Sequence, residues 1–266
     1  MSTLKLTVVT DEIDQDLESA VKFGIRLGVF RYELRSGWGS RFPLFSNEQI
    51  ECIKRIKKDY NIEFTAVSPG LFKVPLDTDE MKEHRGSLLE KTLFLAEELE
   101  VKRIIIFGVK RSDADQPADY ERVLDVLGES SLKAVSKGFN VNLENEPGWW
   151  ADTSENVYRM LKDLEGSGLK LNWDVGNLFN AGEESYCAGY QLLRKYIDNV
   201  HVKDVKKTDG GNIFVPVGYG EIDWKNQLKD LNTDGYKGNI VIETHCEPKR
   251  EATCKSIEYV RNICNI

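Results

Sequence analysis

A closed (β/α)8 barrel in a single α/β domain is the fold the sequence predicts, and three observations predict it. Short β-rich runs recur at roughly thirty-residue intervals, each followed by a stretch of helical periodicity, which is the rhythm of βα units. No Pro/Gly/Ser-rich linker, low-complexity tract or composition shift divides the 266 residues, so one domain spanning 1–266 is the simplest organisation. Neither GxGxxG nor GxxxxGKS follows any strand candidate, which removes the main support for dinucleotide and P-loop folds. An open doubly wound sheet is the alternative that the same rhythm permits.

The strand candidates, in order, are Leu4–Val9, Phe30–Leu34, Ile62–Val67, Arg103–Phe107, Asn140–Leu143, Leu169–Trp173, Asn199–Val202 and Asn239–Ile242. Eight units in a chain of this length favour closure. Between them lie amphipathic helices with recognisable starts: Ser46, with Glu48 close behind, before NEQIECIKRIKKDY; Thr78 before a single helix DEMKEHRGSLLEKTLFLAEEL; and Thr153 before SENVYRMLKDL. In the first, Ile50, Ile53 and Ile56 form an apolar stripe while Lys54, Lys57 and Lys58 face elsewhere, as expected of a helix covering a sheet.

Composition narrows the function. The hydrophobic content of 41% suffices for a large core without a metal or disulfide staple. The net charge is −8 with Lys and Arg interspersed among Asp and Glu, so there is no basic face to neutralise a phosphate backbone, and nucleic acid is not expected as a partner. The opening MSTLKLTVVTDEIDQD reads as neither a signal nor a transit peptide, and apolar runs such as Ile104–Phe107 are too short to span a bilayer. No membrane partner and a cytoplasmic location are the expectations. Five cysteines, Cys52, Cys187, Cys246, Cys254 and Cys264, form an odd set without a CxxC pair and read as free thiols. Association of identical copies is compatible with this reading.

In a barrel, chemistry sits at the C-terminal ends of strands. Those ends carry Asp11 and Glu12, Glu33 and Arg35, Ser68, Gly108, Glu144 and Glu146, Asp174, His201 and Lys203, and Glu243 and His245. Glu144, Asp174, His201 and Glu243 fall on four adjacent strands and converge on one side of the mouth. That set suits one divalent metal ion, Mn²⁺, Mg²⁺, Co²⁺ or Zn²⁺. Of only three histidines, two sit at strand ends, and the third, His84, falls in a helix. A lone strand-end carboxylate more often caps a loop. Three clustered without a cation, however, would cost several kcal/mol in repulsion and desolvation.

These segments, LENEPGWW (Glu144), NWDVGN (Asp174), HVKD (His201), VGYGEIDW (Val217–Trp224) and IVIET (Glu243), resemble in order and spacing the xylose-isomerase-like barrels, also called the sugar phosphate isomerase/epimerase superfamily. The resemblance covers nearly the whole chain. It implies that Glu144, Asp174, His201 and Glu243 bind one divalent metal and that the two glutamates also serve as acid and base. Two departures separate the chain from ketose 3-epimerases: Asn177 stands where those enzymes place a histidine in D-x-x-H, and Lys207 where they place an arginine. Endonuclease IV needs more histidine than this chain has.

The expected activity is therefore a metal-dependent isomerase or epimerase of a sugar or polyol-derived ketone, acting by proton abstraction beside a metal-bound carbonyl. A dehydratase of an inosose- or dehydroshikimate-like substrate is the second reading, and a sugar-binding barrel without turnover the third. Lys203 shares a strand face with His201 and is a candidate to hydrogen-bond the developing oxyanion, set against a structural ion pair with Asp204, Glu144 or Asp174. His245 and Asn177 are candidate contacts to sugar or cyclitol hydroxyls. Trp149 could stack on a sugar face, although adjacent Trp149 and Trp150 are more often packing. Glu12 and Arg35 face the metal half. There Arg35 could select a substrate anion or could pair internally with Glu33 or Glu12. Gly218–Glu221 lies in a region where barrels often hold phosphate, which Glu221 opposes.

Overall fold

The computed structural model describes residues 4–183 and 185–264. Eight parallel strands close into a barrel: β1 (Lys5–Val9), β2 (Arg31–Leu34), β3 (Glu63–Val67), β4 (Arg103–Phe107), β5 (Asn140–Glu144), β6 (Lys170–Asp174), β7 (Ile197–Val202) and β8 (Asn239–Ile242). β1 pairs with both β2 and β8, so the sheet has no free edge and the open-sheet alternative is excluded. Each strand begins and ends within two residues of its sequence expectation. No helix among the described residues is long and apolar enough to cross a membrane.

The helices follow in order as α1 (Leu17–Arg26), α2 (Asn47–Asp59), α3 (Asp79–Arg85), α4 (Ser87–Glu98), α5 (Asp119–Ser136), α6 (Ser154–Asp163), α7 (Val175–Asn180), α8 (Tyr186–Leu193), α9 (Trp224–Thr233) and α10 (Lys249–Cys264). α2 buries Ile50, Ile53 and Ile56 and starts on a full capping box, in which Gln49 rather than Glu48 reaches back to the Ser46 N–H. Thr153 accepts from Asn156 N to cap α6, and Thr78 from Met81 N to cap α3. The single helix expected after Thr78 is instead two, broken at Gly86, whose backbone leaves the helical region. His84 explains the bend: its Nδ1 accepts the Phe72 N–H at 2.8 Å, docking α3 on the loop after β3.

Two short hairpins decorate the mouth, Ser36–Gly37 with Ser40–Arg41 and Asp204–Thr208 with Gly211–Val215. Within the barrel, alternation sends Asn142, Asn172, Asn199 and Asn239 inward beneath the strand-end residues, all buried. Asn199 donates to Asn172 at 2.9 Å, so this amide layer is internally bonded and forms a polar floor under the mouth.

Candidate metal centre at the barrel mouth

One step up each strand from that floor lie Glu144, Asp174, His201 and, just past β8, Glu243. In the register Asp174 pairs with His201, and Glu144 with Asn172. All four are buried, and they offer ligand atoms within 4.8 Å of one another. His201 Nδ1 lies 3.1 Å from Glu243 Oε2, 3.5 Å from Glu144 Oε2 and 3.9 Å from Asp174 Oδ2. His201 Nδ1 is buried with only carboxylate oxygens around it, and Asp174 Oδ2 and Glu243 Oε2 are buried with the Lys203 ammonium beside them at 2.8 and 2.7 Å. Three buried carboxylates and an imidazole nitrogen converge here on one ammonium, more negative charge than Lys203 alone offsets, and that donor set fits a shared divalent cation. His201 Nε2 faces Glu33 Oε2 at 3.1 Å, which favours the proton on Nε2 and leaves the Nδ1 lone pair for a metal.

The surroundings of the two glutamates differ. Glu144 Oε2 accepts from Asn172 Nδ2 at 3.0 Å, and its Oε1 lies 3.5 Å from Asn177 Nδ2, so it sits among neutral amides on one side and His201 on the other. Glu243 is ringed by cationic groups: Lys203 Nζ is 2.7 Å from its Oε2, His245 Nε2 is 3.4 Å from its Oε1, and Arg35 Nη1 pairs with that same Oε1. Burial alone would raise both carboxyls. Lys203, His245 and His201 instead hold Glu243 well below its ordinary value, and His201 holds Glu144 below its own. Burial pushes Asp174 up to about 6, against the pull of Lys203 at 2.8 Å. His245 is raised to about 9, since Glu243 and Glu12 outweigh its burial.

Lys203 thus pairs with Asp174 and Glu243 rather than with Asp204 or Glu144. Its stem packs on Gly176, where a Cβ would lie 2.3 Å from Lys203 Cγ, and Trp224 Nε1 donates to its carbonyl at 3.0 Å. Asp204 has another task. Its carboxylate accepts the N–H groups of Val205, Gly218, Gly220 and Ile222 at 2.9 to 3.2 Å, so the donors of the glycine turn are already spent on an internal anion.

The remaining candidates separate. Asn177 lines the mouth and bonds Asn145 O and the Asp174 carboxylate. Glu12 is buried on the Arg35 and His245 side of the mouth, accepting from Arg35 and from His245 N and Thr244 Oγ1. Arg35 pairs with Asp11, Glu12 and Glu243, not with Glu33. Trp149 packs against Ala66, Ile105 and Phe107 under the rim. The cleft above the cluster measures about 560 Å³ and is bounded by Arg41, Lys73, Phe107 and Phe214 besides the residues above. A larger depression of about 810 Å³ lies at the opposite end of the barrel, where Arg103 is neutralised by Asp198. Sequence reading did not assign the roles of Glu33, Asn145, Asn172 or Arg41. Asn172 was within reach, because it lies two residues before Asp174 on the same strand face.

A parallel eight-stranded barrel with a carboxylate–imidazole cluster suited to a metal ion at its C-terminal mouth is the class that fold and site define. The chain belongs to the xylose isomerase-like TIM barrel family, whose model matches residues 19–263. An inosose dehydratase of Geobacillus thermodenitrificans is 25% identical over 56% of this chain and 56% of its own length, so the chain spans little more than half of that relative. Among solved structures, the probable 3-DHS dehydratase AsbF of Bacillus anthracis superposes with a TM-score of 0.80 at 19% identity, covering 97% of this chain and 99% of that one. A D-allulose 3-epimerase of Methylomonas sp. gives 0.78 at 14% identity, covering 98% of each. At these identities the structural likeness is one of fold.

Proposed function

We propose that the chain is a metal-dependent dehydratase of a polyhydroxylated ketone, of the cyclitol or sugar type. The single observation that carries this is the inequality of the two glutamates. Epimerisation asks each of two groups on opposite faces to give up and take a proton. Glu243, with Arg35, His201, Lys203 and His245 around it, is held ionised and makes a poor acid. Elimination needs one base and one separate acid.

Glu144, Asp174, His201 and Glu243 would hold the divalent ion, which supplies polarisation of the substrate carbonyl when bound. Glu144, ionised and flanked by amides, takes the proton from the carbon beside the carbonyl. Lys203, kept protonated by Asp174 and Glu243, donates a hydrogen bond to the oxygen on which charge develops. His245, an imidazolium at neutral pH on the cleft wall, gives its proton to the departing hydroxyl. The C–H and C–O bonds break, a C=C bond forms and water leaves; Glu144 then gives its proton to solvent water and His245 takes one from it, which restores both groups.

Metal-loaded protein in D2O, offered inososes, 3-dehydroshikimate and ketohexoses, tests this. Appearance of an enone with loss of water supports dehydration. A deuterium-labelled epimer with no dehydration product would instead establish the second reading, epimerisation, which the joint placement of Glu144 and Glu243 on one cluster favours.

A further inference from the structure

The cations around the cleft are matched to carboxylates with one exception. Arg35 has Asp11, Glu12 and Glu243; Lys203 has Asp174 and Glu243; Lys73 has Glu146 at 2.8 Å. Arg41 has none among the described residues. Its Nε donates to Ser68 O and its Nη2 to Ser68 Oγ, both at 3.1 Å, while Nη1 makes no hydrogen bond among those residues. These two bonds fix the plane of the guanidinium without neutralising it.

The position is built into the backbone. Arg41 ends the short hairpin opposite Ser36, and its side chain crosses Gly70, where a Cβ would lie 2.9 Å from Nε. Gly70 has φ +75°, which disfavours a side chain there, and its bare backbone lets the guanidinium lie against it. Burial and the like charge of Arg35 work against the Arg41 cation, and Glu144, Asp11 and Glu243 offset this only from a distance. A part-buried guanidinium with an open edge on a cleft wall is arranged to receive an oxyanion, since leaving such a charge uncompensated is costly.

We propose that Arg41 is the anion-binding residue of this cleft, and that the substrate carries a carboxylate or phosphoryl group besides the hydroxyls and carbonyl directed at the metal centre. The proposal rests on the metal-centred reading above and narrows its substrate class. It also moves the anion-selecting role expected of Arg35 to the one arginine of the cleft that has no carboxylate partner among the described residues.

Titration calorimetry of the Mn²⁺-loaded protein with three probes tests it: quinate, myo-inositol 1-phosphate and uncharged myo-inositol. At least one anionic probe should bind roughly tenfold or more tightly than myo-inositol, and which one does so distinguishes carboxylate from phosphoryl. Arg41→Gln should erase that preference and Arg41→Lys should keep part of it. Should Arg41→Gln fail to fold, the wild-type protein still decides, because affinity for the anionic probe must fall with added NaCl more steeply than affinity for myo-inositol. Equal binding of all three probes, binding of none, or a preference that survives in Arg41→Gln overturns the proposal. Mn²⁺ binding is scored beforehand by electron paramagnetic resonance without any probe, so failure of the metal centre is seen separately.

Discussion

Replacing Glu33 by glutamine tests whether the cluster is a metal site or a self-contained ion-pair network. Glu33 touches neither the cleft nor the common point of the ligand atoms, yet its Oε2 lies 3.1 Å from His201 Nε2 and the residue is wholly buried. Its carboxylate fixes the imidazole with Nδ1 aimed at Glu144, Asp174 and Glu243. It also raises the basicity of that nitrogen. In Glu33→Gln the amide oxygen can still accept from Nε2–H, but the bond is then neutral, and a buried hydrogen bond to a charged group contributes about 1.5–3 kcal/mol against roughly 1 for a neutral one. That difference of about 0.5–2 kcal/mol corresponds to a loss of roughly 2- to 30-fold in metal affinity, and the removal of outer carboxylates at other metal sites, at roughly 10- to 100-fold, places the expectation in the upper part of that range. Glu33 also helps to raise the His201 pKa, so its removal weakens the proton that competes for Nδ1. The titration is therefore run near pH 8, where that opposing gain is smallest, with Mn²⁺ followed by electron paramagnetic resonance. Affinity within about twofold of wild type, alongside a lowered thermal transition, would refute the reasoning and leave Glu33 as a structural partner only.

Four further outcomes follow from the same geometry. Glu144→Gln should lower deuterium exchange at the substrate carbon by roughly 10³ or more with a modest loss of metal, unrescued by excess metal, whereas Asp174→Asn should be partly rescued; equal rescue of both, read by NMR, would remove the base role from Glu144. Because burial sets Asp174 to about 6 in the metal-free chain, its folded pKa lies above the unfolded one and metal must displace its proton. Metal affinity should then fall as pH drops below about 6, up to roughly tenfold per unit, and Asp174→Asn should flatten that slope. The same sign implies that this group makes the metal-free fold less stable as pH rises from about 4 to 6, which thermal unfolding with chelator can read. Gly176→Ala would place a Cβ 2.3 Å from Lys203 Cγ and should cost about 1–3 kcal/mol in unfolding free energy while lowering turnover more than metal affinity.

The barrel was legible because its strands are buried runs bounded by polar turns, and because eight of them recur at even spacing. Period-2 alternation then placed Lys203 on the strand face of His201, and the same alternation carries Asn172 with Asp174 and Asn199 with His201, a step the strand-end reading stopped short of. The break at Gly86 was not legible, since it depends on His84 folding back to meet the Phe72 N–H in the preceding loop, a contact no helical periodicity encodes. The convergence of Glu144, Asp174, His201 and Glu243 could be read from strand ends, but the partners of that cluster could not. Whether Arg35 meets Glu33 or Asp11 is settled by strand stagger across β1 and β2, where sequence alternation is silent. On the other edge of β2, the pairing with β3 shifts register between Tyr32 and Glu33. Glu33 turns to His201 and Arg35 to the carboxylates of β1 and β8.

That division of labour joins the two halves of the mouth through one residue. Glu243 presents Oε2 to His201 and Lys203, on the metal side, and Oε1 to Arg35 and His245, on the side of Asp11 and Glu12. Glu12 in turn accepts the backbone N–H of His245, a residue held at φ 50°, so the imidazole is fixed by both main chain and carboxylate. A left-handed backbone at a non-glycine residue is unfavourable unless its surroundings enforce it. Here three contacts enforce it: Glu12 at the N–H, Glu12 again at Nδ1, and Glu243 at Nε2. The strain therefore points the imidazolium at the cleft rather than leaving it as a free loop side chain. On the dehydration proposed above, this fixed imidazolium, set apart from the amide-flanked Glu144, is the separate acid that elimination requires and epimerisation does not.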